Sequence, residues 1–106
     1  MATDSSKKMI LVQQLGDAIN ANVIQLEHRK YPSLVIQGDS MSILVGMAQY
    51  AREQIEQGNS AALEEGIEEL RSLEDLLRNY LIIYEQSLNE NNIPFPYPGS
   101  YLERTR

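Results

Sequence analysis

The chain contains no cysteine. That absence excludes disulfides, thiol nucleophiles and cysteine-based metal sites, and it suits a reducing compartment. Histidine is nearly absent too, with His28 standing alone. A Ser-His-Asp set can be written from His28, Asp39 and Ser40. However, Asp39 and Ser40 are adjacent, and the G-x-S-x-G elbow that presents a nucleophile is missing. No apolar run approaches the roughly 18 residues that read as a transmembrane helix. Met1 to Lys8 is polar, and the apolar run Met9 to Val12 is too short for a signal peptide. These absences predict a cytoplasmic protein that is not an enzyme, has no membrane attachment and needs no metal or other cofactor.

Bases are scarce where acids gather. Residues 60–90 carry eight acids against two bases, Arg71 and Arg78, and so hold the whole formal excess of −6. An acidic surface repels phosphate backbones, which argues against nucleic acid and suits a basic protein partner. Glu64, Glu65, Glu68 and Glu69 are the candidate residues for that contact. Their i,i+4 spacing could share a hard cation, but no Glu-x-x-His motif accompanies them.

The chain's 106 residues are enough for one domain with a modest core. The expected boundaries are a disordered tail at 1–7, a single domain at 8–97 and a flexible tail at 98–106. Lys8 to Gln13 and Val23 to His28 read as short strands, with a turn or brief helical connection over Leu15 to Asn22. Pro32 holds Tyr31 extended, and Leu34 to Gln37 reads as a third strand. Asp39 or Ser40 is the expected N-cap of a first helix, carrying Leu44, Met47, Ala48, Ala51 and Ile55 at helical spacing. Gly58 closes it, and Asn59 or Ser60 caps a second helix. So short a link makes the helices antiparallel neighbours, and Gly66 falls on the inward side, where it permits close approach. The fold class that follows is α+β: a small antiparallel sheet of about three short strands packed on a long two-helix hairpin.

The second helix is more apolar than one contact requires. Ile83, Leu76, Tyr80, Leu73, Tyr84, Leu77, Leu81 and Ile67 sweep roughly 200° at 100° per residue, and Ile82 lies on the opposite side. A homodimer burying part of the Tyr80–Tyr84 turn is therefore expected, with Tyr80, Ile82, Ile83 and Tyr84 as candidate contacts. Beyond Asn89 the run Ile93 to Gly99 has alternating prolines and must be extended. Its aromatics, Phe95 and Tyr97, are candidates for packing on their own domain or on a partner.

The most specific string runs from Arg29 through Tyr31 and Pro32 to Gln37, Gly38, Asp39 and Ser40. Together with Asn22-Val23-Ile24 and Met41, it resembles a family of small, uncharacterised bacterial proteins. That family carries an R-x-[FY]-P-x-x-x-x-Q-G-D-[ST]-[LM] motif followed by two acidic, Leu-rich helices. The resemblance covers roughly residues 8–97, with Ser33 where a glycine is commoner. It assigns no reaction. It is compatible with an immunity-type protein that neutralises a basic toxin domain. The alternative is a small-ligand or nucleotide sensor using the helix N-terminus at Gly38, Asp39 and Ser40.

Overall fold

The computed structural model describes residues 7–18 and 21–104. Three strands, β1 (Gln13–Ala18), β2 (Ala21–Gln25) and β3 (Ser33–Ile36), form an antiparallel sheet in the order β1-β2-β3. Two long helices follow, α1 (Gly38–Glu56) and α2 (Ser60–Glu90), and then one short turn of helix, α3 (Tyr101–Arg104). The chain is therefore α+β, with a three-stranded sheet and a helical hairpin.

The first strand lies later than its hydrophobicity suggests. Residues 7–12 are irregular and exposed, and β1 occupies the Gly-Asp segment that the sequence marks as a turn. Gly16 explains the displacement. A Cβ there would sit 2.2 Å from Ser87 Oγ, so the glycine serves to bring the strand against α2, not to turn the chain. Leu15 is the extra residue of a β-bulge: the register steps from Gln14 opposite Ile24 to Gly16 opposite Val23.

The start of α1 also differs from expectation. Its N-cap is Gln37, in extended conformation, with no side-chain cap. Asp39 lies inside the first turn, and its carboxylate accepts from the Ser40 N–H at 2.8 Å. Gly38 is open, with nothing within 4 Å of a Cβ placed there. The far end of the hairpin follows the sequence signals. Gly58 has φ +79°, and Asn59 caps α2 by accepting from the Ala62 N–H at 2.9 Å.

With 31 residues, α2 is about 46 Å long. It is shared between two neighbours. Its first half packs on α1 through Leu44, Ala51, Ala62, Gly66 and Leu73. Its second half covers the sheet, where Val23, Tyr84 and Leu88 are buried together. The result is long and thin. The radius of gyration is 17.9 Å, against about 13 Å for a compact domain of this length. The hairpin projects from the sheet, covered by no third layer among the described residues.

Candidate interaction surface

The specific string around Pro32 builds a corner. Gln25 Nε2 donates to the carbonyls of Leu26 and Arg29, closing the link from β2 to β3. Pro32 is buried, and its carbonyl accepts from the Tyr84 hydroxyl at 2.8 Å. Arg29 and Tyr31 are exposed on that corner, with Lys30 Nζ 5.3 Å from the Tyr31 ring centre. Gln37, Gly38 and Asp39 are exposed at the entry to α1, and Ser40 is half-buried. The motif thus fastens the β2–β3 link to α2. At the helix N-terminus, the acid of Asp39 already takes the Ser40 amide that an anion would need. His28 is exposed and distant in role from Asp39 and Ser40, lining instead a shallow depression with Ile10, Leu11 and Arg29.

On α2 the polar and apolar residues separate into two flanks. At 100° per residue, Glu64, Glu65, Glu68 and Glu69 lie on the opposite side from Leu63, Ile67, Leu70 and Leu77. Glu64, Glu65 and Glu68 are exposed, and Glu69 is half-buried. Among the described residues, the ion pairs are Arg52–Glu56, Arg78–Glu74 and Arg78–Asp75, so none of the four candidate glutamates is neutralised by one. Tyr50 of α1 reaches this flank and donates its hydroxyl to Glu65. That bond holds the Tyr50 phenol above its ordinary pKa, aided by slight burial and then by the charges of Glu65 and Glu69. No group of three or more His, Asp or Glu among the described residues is placed to hold a metal ion.

Of the residues expected to meet a second copy or the tail, Ile83, Tyr84, Phe95 and Tyr97 are occupied within the chain. Tyr84 is buried in the core, and Ile83, Phe95 and Tyr97 pack against the same cluster. Tyr80 and Ile82 are half-buried. Phe95 and Tyr97 stack at 6.1 Å between ring centres, and Tyr101 meets Tyr97 edge-on at 6.3 Å.

The tail is held by a residue that sequence reasoning passed over. Glu85 is fully buried, and its carboxylate accepts four hydrogen bonds. The donors are Tyr97 Oη at 2.8 Å, Ser100 Oγ at 2.9 Å, and the N–H groups of Tyr101 at 3.1 Å and Leu102 at 2.9 Å. Burial pushes the Glu85 pKa up. The two backbone donors, then Tyr97 and Ser100, outweigh it and hold the carboxyl below its ordinary value. The Tyr97 hydroxyl is driven far up, by burial first and then by its bond to Glu85. Ser100 to Leu102 is thus fastened to α2 where the sequence suggests a frayed end. The only signal was the proline-directed return of the tail, which brings donors back to the helix.

Sequence comparison adds one decisive observation: a family of unknown function, DUF6959, matches residues 7–97. The chain belongs to that family. No curated protein and no solved structure matches it. Membership in DUF6959 therefore carries no reaction to this surface, and the chemistry must be argued from the residues. No helix among the described residues is long and apolar enough to cross a membrane.

Proposed function

We propose that this DUF6959 protein is a non-enzymatic cytoplasmic interaction protein whose acidic flank binds a basic protein. Its most concrete form is an immunity-type protein that covers a basic toxin domain. One observation carries the reading: Glu64, Glu65 and Glu68 are exposed on one flank of α2, with Glu69 half-buried beside them, and none is ion-paired among the described residues. Four acids on two successive helical turns create a concentrated negative field on a rigid element. Such a field accelerates encounter with a positive surface and disfavours negative ones. The flank has little apolar content, so its contribution is steering and register, with affinity added by neighbouring contacts.

The test is a variant with Glu64, Glu65, Glu68 and Glu69 all changed to Lys. Partners of the natural chain are first recovered by pull-down at low salt. Association rates of both proteins are then compared across ionic strengths. The variant should bind more slowly, and its rate should lose the salt dependence of the natural chain. Equal rates with equal salt slopes would reduce the flank to a solvated helix face. Recovery of a small anionic ligand in place of a protein would favour the sensor reading at Gly38.

A further inference from the structure

The hairpin carries two heptad seams side by side, and only one is used. The used seam joins the helices: Leu44, Met47 and Ala51 of α1 face Ala62, Gly66 and Leu73 of α2. The second is displaced by one residue on each helix. On α1 it runs Met41, Val45, Ala48, Arg52, Ile55, the last also bordering the used seam at Gly66. On α2 it runs Leu63, Ile67, Leu70, Glu74, Leu77. Both follow the 4-3-4-3 spacing of a coiled-coil contact. In an antiparallel hairpin, a shift of one residue towards the C-terminus moves both seams to the same side of the pair. The Tyr50–Glu65 bond, shifted one residue the other way, marks the opposite side. The two unused seams therefore form one continuous face.

We infer that this face binds the same face of a second copy, closing a four-helix bundle. Three observations select a second copy as the occupant. First, the area fits. The seven large apolar side chains on the face are between 37% and 58% exposed. They leave on the order of 600 Å² per copy, and the stems of Arg52 and Glu74 bring it near the roughly 800 Å² per partner of a standard interface. Second, the charge fits. The face holds one base and one acid, Arg52 and Glu74, so two copies meet without net charge although each chain carries −6. A basic partner finds its acids on the other flank. Third, the architecture fits. A bundle helix packs on two neighbours through a widened apolar stripe, and each helix here has the second stripe without the second neighbour. An isologous contact through a twofold axis supplies both at once and leaves no open end. Leu70 and Ala48 lie at the middle of the two seams, so they are near that axis. Ile83 and Tyr84 stay under the sheet and tail, outside the contact.

The experiment uses the full chain. Sedimentation equilibrium at about 50 µM, above the micromolar limit of interfaces this size, should return a dimer mass. Leu70→Glu should raise the dissociation constant by about 100-fold or more, because each dimer would bury two unpaired carboxylates. Circular dichroism reports whether that variant remains helical. A second variant guards against misfolding. Leu70→Cys introduces the sole thiol of the chain, and a nitroxide on it should show dipolar coupling within about two interhelix spacings, roughly 20 Å. Salt separates this contact from the acidic flank. Screening weakens capture of a basic partner but leaves an apolar contact between two negative chains unchanged or tighter. A monomer mass for the natural chain, a Leu70→Glu protein that stays dimeric, or a label without coupling would each overturn the inference. Failure of the acidic-flank test would leave it standing.

Discussion

Replacing Glu85 with Gln should release the C-terminal segment from α2 while the rest of the fold holds. The carboxylate accepts from four donors, all within 3.1 Å, and is fully buried. Gln keeps one acceptor oxygen and turns an NH₂ group towards two of the donors. Hydrogen bonds to a charged group contribute about 1.5–3 kcal/mol each, and roughly two are lost. Undocking lets the freed donors reach water, so the loss is capped by local opening and about 2–4 kcal/mol is expected, a roughly 30- to 1,000-fold larger open population. Amide hydrogen exchange at Tyr101 and Leu102 measures that population directly. Global thermal unfolding should shift far less than the exchange rates do. Equal protection of both amides in the variant and the natural protein would refute the reasoning.

The same carboxylate makes docking depend on pH. Its folded pKa lies below the ordinary value of 4.5. The stabilisation is therefore complete above that ordinary value and is lost as pH falls through the folded one. Protection of Tyr101 and Leu102 should collapse in this acid window, once intrinsic exchange rates are corrected for pH. In Glu85→Gln it should stay flat through the same window.

Four further outcomes test the packing. Gly66→Val should destabilise by about 2–4 kcal/mol in urea denaturation, since a Cβ would lie 2.8 Å from both the Ala51 carbonyl oxygen and Ile55 Cγ1. Gly38→Ala should be neutral or stabilise by up to about 1 kcal/mol in the same assay, because the site is open, helical and free of positive φ. Asn59→Ala should cost about 1 kcal/mol by removing the α2 cap, whereas Asp39→Ala should cost less. Tyr84→Phe should cost about 1–2 kcal/mol and raise exchange in the β2–β3 link, where Pro32 loses its donor.

How much of this was legible varies with what the residues compete for. Gly58, Asn59 and Gly66 announced their roles because each answers a local demand: a positive φ, an orphan N–H, a close helix crossing. Gly16 misled for the opposite reason. Its demand comes from Ser87, far along the chain, and no local pattern distinguishes a glycine that turns the chain from one that admits a neighbour. The Gly38-Asp39 entry likewise resembles a cap, but Gln37 takes that position in extended conformation and Asp39 falls within the first turn. Glu85 was invisible. A lone glutamate on an acidic helix reads as surface, and only the returning tail surrounds it with donors.

The width of the apolar arc on α2 was readable, but not which neighbour each part meets. Periodicity reports how much of a helix is apolar, summed along its length. It does not report that the first half packs on α1 and the second half on the sheet. Once the helix is divided in that way, the surplus changes place. At Ile83 and Tyr84 the sheet and the tail take up the arc, and Tyr84 is buried. Over Leu63–Leu70 α1 is the neighbour among the described residues and the adjacent seam stays open to water, while Glu74 and Leu77 border a depression shared with Tyr101 of the tail. The arc that suggested a second copy is therefore explained within the chain at one end of α2 and unexplained at the other. The proposed dimer contact belongs at the end where the hairpin has no third layer among the described residues, and the acidic flank on the reverse of the same turns stays free for the proposed basic partner.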